Sequence, residues 1–138
     1  MLAITACASL AFTGLSTTTA WADEKKPHAP EHGKVQIPGT TEEIMKEIHK
    51  HHGELAEVVK SKKLAEVHEH AFAIRDLAKG LIDKVPVDKK SRLQGSVNKI
   101  SKLATDLDNS GDANDQAKTE ANLKTLDGVL AQLDGQVK

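Results

Sequence analysis

From Thr40 onward the chain sets apolar among polar positions at the three–four spacing of amphipathic helices, and nothing there alternates with the period of two that a strand requires. Ile44, Ile48, Leu55, Val58 and Val59 form one apolar stripe, and Thr40 with Glu43 supplies a capping box for its start. This predicts a first helix running to about Lys60, followed by a short turn at Ser61-Lys62-Lys63. Leu64, Val67, Ala71, Ile74, Leu77, Ala78 and Leu81 define a second helix, and Pro86 ends the connection after it. Asp88 is the expected cap of a third helix bearing Leu93, Val97, Ile100, Ala104 and Leu107, which Gly111 should stop. A fourth helix is expected to start near Asp112 or Asn114 and to carry Ala117, Leu123, Leu126, Leu130, Leu133 and Val137. Four helices of about 20 residues with short connections predict an all-α, up-down-up-down antiparallel four-helix bundle over residues 40–138.

The chain before Thr40 reads differently. Residues 1–22 carry no charge, hold an apolar run from Leu2 to Leu15 and end in Ala20-Trp21-Ala22 before Asp23-Glu24-Lys25-Lys26. That is the pattern of a signal peptide cleaved after Ala22, which makes the expected location periplasmic. The run is too short to span a bilayer, so no transmembrane span is expected in the mature chain. Ile4-Thr5-Ala6-Cys7 has the form of a lipoprotein box, but only three residues precede it and the apolar stretch continues beyond it. Residues 23–39 hold three of the four prolines and no sustained period, which reads as a flexible arm.

Composition then narrows the chemistry. Loss of the signal removes Cys7, Trp21 and Phe12, leaving Phe72 as the one aromatic residue and no thiol for a disulfide. A formal net charge of −1 and the lack of stacking side chains argue against nucleic-acid binding. The mature chain is expected to be monomeric.

Five of the seven histidines cluster on the first two helices, as His49, His51 and His52 and as His68 and His70. If those helices fold back about Ser61, the clusters lie level with each other at about 1.5 Å per residue. Around the first helix His51 takes a core slot, while Met45, His49 and His52 line one flank of the stripe. On the second helix His70 lies near the stripe and His68 further out on its other side. Two pairings therefore remain open. With one bundle handedness His51 faces His70; with the other, the Met45, His49 and His52 flank faces His68.

Imidazole suits zinc, copper and nickel, and the Met45 thioether adds a preference for copper(I), so copper is the first expectation and zinc or nickel the next. Glu47 or Glu66 could supply an oxygen or orient a ring, and His28 or His32 of the arm could complete an open position. The corresponding role is a carrier, buffer or sensor, with a metal-efflux component of the cell envelope as a partner. The competing reading is a metal-free interaction module that docks through an exposed helix face or the basic turn at residues 60–63.

Other chemistry fails on spacing. No Glu-x-x-His precedes any of the five helical histidines, so a ferritin-type di-iron centre is not encoded, and His68-Glu69 is not continued as His-Glu-x-x-His. Asp106, Asp108 and Ser110-Gly111 begin like a calcium loop, but its twelfth position is Ala117 where a bidentate Glu is needed. There is no Gly-x-Ser-x-Gly and no Cys nucleophile, so hydrolase chemistry has no support, and the expectation taken over all these motifs is a protein that is not an enzyme.

In size and topology, residues 40–138 resemble the small exported bundles of the cytochrome b562 type. Those bind haem through a Met on the first helix and a His on the last. Met45 matches the first position, but the fourth helix has no His, and Cys-x-x-Cys-His is absent, so haem binding stands third among the readings. The stretch from Val67 to Leu77 is also similar to small exported helical proteins associated with bacterial heavy-metal resistance.

Overall fold

The structure is a computed structural model and describes residues 35–138. Residues 1–22, expected to be a signal peptide, and the arm histidines His28 and His32 lie outside the described residues. Within them the architecture is four α-helices with no strand: α1 (Thr41–Lys60), α2 (Val67–Lys84), α3 (Val87–Asp112) and α4 (Gln116–Val137). A 3-10 turn, Leu64–Glu66, precedes α2. Each helix packs against the next in sequence, and α1 also touches α4.

Local chemistry accounts for each boundary. The Thr40 hydroxyl accepts a hydrogen bond from the Glu43 amide, and the Glu43 carboxylate accepts one from the Thr40 amide, both at 3.3 Å. Glu42 and Glu43 also place negative charge against the positive end of the α1 dipole. At the other end Lys62 has φ 58°, and the amides of Lys62 and Lys63 donate back to the carbonyls of Val59 and Val58. This is a Schellman stop built on a lysine rather than a glycine. The second helix begins three residues later than the stripe suggested, because Leu64–Glu66 follows the reversal as a tighter turn.

Two expected signals act in other ways. Pro86 occupies the cap position of α3 and Asp88 sits inside its first turn, where it complements the dipole but does not cap. Gly111 does not stop α3, which continues to Asp112. The stop is Asn114, at φ 53°, with the amides of Asn114 and Asp115 returning to the carbonyls of Gly111 and Ser110. Gly111 is instead a point of close approach: a Cβ there would lie 2.8 Å from the Leu64 carbonyl oxygen and 3.2 Å from Val67 Cβ. Asp115 then caps α4 by accepting from the Lys118 amide at 3.0 Å, one residue beyond the expected start.

The predicted stripes form the core. Ile44, Ile48, Leu55, Ile74, Leu77, Leu81, Leu93, Ile100, Leu107, Leu126 and Leu133 are fully buried. Ala117 is exposed, and Thr119 takes the inward position near it, its hydroxyl 2.7 Å from the Asp115 carbonyl and 3.0 Å from the Ser110 hydroxyl. A buried hydroxyl needs such partners, since an unpaired one costs about 1–3 kcal/mol. Residues 35–38 are part of this packing: Val35 rests on the core, and Ile37 fills the space that a side chain at Gly80 would take. Among the described residues, no helix is long and apolar enough to cross a membrane.

Candidate metal centre

The α1 stripe is broken by histidine where its repeat calls for an apolar residue. Between Ile48 and Leu55 the inward slot falls to His51, while on α2 Ala71 fills the slot between Val67 and Ile74 and His70 stands beside it at the edge of the core. Burial leaves these rings 20% and 17% exposed. They meet across the α1–α2 seam with ring centroids 5.7 Å apart and planes tilted by 45°. The two Nδ1 atoms are 3.3 Å apart.

A carboxylate closes the group. Glu54 lies one turn after His51, so the two share a helix face. Its Oε2 is 3.3 Å from the Nδ1 of His51 and 3.3 Å from the Nδ1 of His70. Three donor atoms thus stand at the corners of a triangle whose sides are all 3.3 Å. Glu54 remains 43% exposed and forms the solvent edge of the cluster. Of the described His, Cys, Asp and Glu residues, only these three form a group able to hold a metal ion.

Electrostatics favours the ligating form of His51. Its pKa is lowered from 6.5, first because burial penalises the charged ring; His70 and Lys50 add to the lowering, while Glu54 and Glu47 oppose it. At neutral pH the ring is therefore uncharged and has a lone pair to offer. Between two neutral rings one Nδ1 must donate and the other accept, an arrangement that an ion would replace by bonds to both.

The remaining expected ligands go elsewhere. His49 Nε2 pairs with Asp134 Oδ1 at 2.9 Å, and His52 Nε2 pairs with Asp127 Oδ1 at 2.5 Å, both on α4. The flank carrying these histidines thus meets α4, and of the two pairings open to the sequence the one present joins His51 to His70. Met45 is 8% exposed and belongs to the apolar core. His68 is half-buried on α2 and stands outside the three-residue group. Of the expected soft set, His49 and His52 are turned to α4 carboxylates, and the three-residue group offers two nitrogens and an oxygen.

Sequence reasoning sought the carboxylate at Glu47 or Glu66 and passed over Glu54. The available signal was the i, i+3 spacing from His51, which Glu54 satisfies as fully as Glu47 satisfies i, i−4. It also missed Asp127 and Asp134, whose partners lie 75 and 85 residues away along the chain. Comparison with protein-family models, curated proteins and solved structures finds no match, so the reading rests on the residues themselves.

Proposed function

We propose that this protein binds a divalent transition-metal ion between α1 and α2, through Nδ1 of His51, Nδ1 of His70 and the Glu54 carboxylate, and serves as a carrier or buffer rather than an enzyme. The observation that carries the proposal is the equilateral 3.3 Å triangle of donor atoms. Its circumradius is about 1.9 Å, so an ion at the zinc bond lengths of about 2.0–2.2 Å to imidazole and carboxylate would touch all three donors with little movement.

The scaffold proposed is the antiparallel up-down-up-down bundle. Support comes from the order of cross-helix contacts: moving from His49 to His52 along α1 moves from Asp134 back to Asp127 along α4. Ser96 on α3 bonds Gln136, while Ser110 further along α3 bonds Thr119 earlier on α4. We place the protein in the periplasm on the strength of the uncharged apolar segment 1–22 and its Ala20-Trp21-Ala22 ending. A metal-free docking role for the basic turn has less support, because Lys60 and Lys63 lie 3.7 and 3.8 Å from Glu57 and Glu66, which offset their charge.

Titration of the full chain with zinc(II) against a competing chelator tests the proposal. One ion per chain should bind, and the double variant His51→Gln with His70→Gln should lose that binding while keeping a helical circular-dichroism spectrum. Equal affinity in the variant would remove the site from consideration.

A further inference from the structure

We infer that the ion this site is shaped for is zinc(II), held by protein at three vertices of a tetrahedron with the fourth left to an exchangeable monodentate donor: water, a small anion or an imidazole in solution. This rests on the metal-site reading above and adds the coordination number and what the ion can still bind.

Angles decide between metals. Donors 3.3 Å apart subtend about 107° at an ion about 2.05 Å from each, close to the tetrahedral value that zinc adopts. Octahedral coordination would need the same donors about 2.9 Å apart for right angles at that bond length. Copper(II), although generally the stronger binder of nitrogen and oxygen donors, prefers a tetragonal arrangement. That geometry would put two of three donors either side by side at about 2.9 Å or opposite each other at about 4.1 Å, and the triangle here has neither edge. Copper(I) would want sulfur, whereas the triangle is made of two imidazole nitrogens and a carboxylate oxygen, and Met45 is packed in the apolar core.

Three ligands leave a vacancy for a four-coordinate ion. Among the described residues no further His, Cys, Asp or Glu joins the group. The exposed Glu54 carboxylate marks its solvent edge, whereas the two rings are mostly covered. Structural zinc sites close all four positions with protein, and sites that exchange a ligand use three. An incoming chelate can therefore bind the ion before His51, His70 or Glu54 releases it, so the metal passes on without becoming free.

Cobalt(II), which reports its geometry by colour, tests this on the full chain. Loading cobalt in place of zinc should give the intense visible absorption of a tetrahedral ion, azide should shift that spectrum, and the His51→Gln, His70→Gln double variant should lack it. A weak six-coordinate spectrum overturns the tetrahedral assignment. A tetrahedral spectrum that azide leaves unchanged overturns the open vertex. In both cases bound cobalt leaves the metal-site reading standing. Failure of both cobalt and zinc to bind overturns that reading and this inference with it.

Discussion

Replacing Gly111 by alanine should destabilise the protein, while the same replacement at Gly95 on the same helix should stabilise it. Both glycines lie within α3, and in each case alanine removes the backbone freedom that makes glycine unfavourable in a helix, a gain of about 0.5–1 kcal/mol. At Gly95 nothing lies within 4 Å of the added Cβ, so the gain should appear undiminished. At Gly111 the new methyl would stand 2.8 Å from the Leu64 carbonyl oxygen and 3.2 Å from Val67 Cβ. The first contact is the more costly, because a backbone oxygen at the start of the 3-10 turn cannot rotate aside as a side chain would. Overpacking of this kind costs about 1–3 kcal/mol, which outweighs the propensity gain by up to about 2 kcal/mol. The propensity gain is common to both, so the variants differ by the overpacking cost, and for a domain of this size they should move apart by roughly 4–24 °C in Tm, given about 4–8 °C per kcal/mol. Thermal unfolding followed by circular dichroism, with excess chelator present, measures both. If Gly111→Ala raises Tm as much as Gly95→Ala does, the close approach of α3 to the start of α2 is refuted, and so is the reason given for glycine at that position.

Lys62 holds a left-handed conformation that costs a non-glycine residue about 1–2 kcal/mol, so Lys62→Gly should raise stability by about 0.5–1 kcal/mol in denaturant unfolding. A loss of stability there would contradict the Schellman stop. In metal-free protein, acid should weaken the fold through His51. Its folded pKa lies below the unfolded value of about 6.5, so the folded state binds fewer protons, and the stability present above that pH is lost as pH falls from about 6.5 towards the folded pKa. Unfolding curves across this window, compared with those of His51→Gln, should show a smaller pH slope in the variant, and identical slopes would exclude burial of this ring. Replacing His49 and His52 together by glutamine should leave zinc affinity nearly unchanged, since their rings are held by Asp134 and Asp127.

How far the sequence reveals this fold depends on which signals are local. The stripes at Ile44–Ile48–Leu55 and Leu93–Val97–Ile100–Ala104–Leu107 emerge buried as expected, because a helical period over 15 or more residues has one means of hiding its apolar side. The Thr40–Glu43 box is equally local and appears as read. Gly111 signals a helix end in the sequence but lies within α3 beside Leu64, because a glycine that ends a helix and one that admits a neighbouring backbone look the same in one dimension. Ala117, expected on the apolar stripe, is exposed and Thr119 is buried near it, because a buried hydroxyl depends on partners, here Ser110 and the Asp115 carbonyl, rather than on hydropathy. The histidine cluster was visible, and His51 could be assigned an inward slot from the stripe alone. Which partner it meets was not, because that depends on the handedness of packing, a property of no single helix. The pairing of His49 and His52 with α4 carboxylates likewise needs the whole bundle.

The central claim is that His51, Glu54 and His70 together hold an ion, and nitrogen-resolved NMR of the histidine rings in the full chain addresses it most directly. On addition of one equivalent of zinc(II), the Nδ1 resonances of His51 and His70 should move to the position of metal-bound nitrogen. Those of His49, His52 and His68 should remain where they were. Zinc-dependent shifts confined to His49, His52 or His68, or the absence of any shift in His51 and His70, would contradict the account.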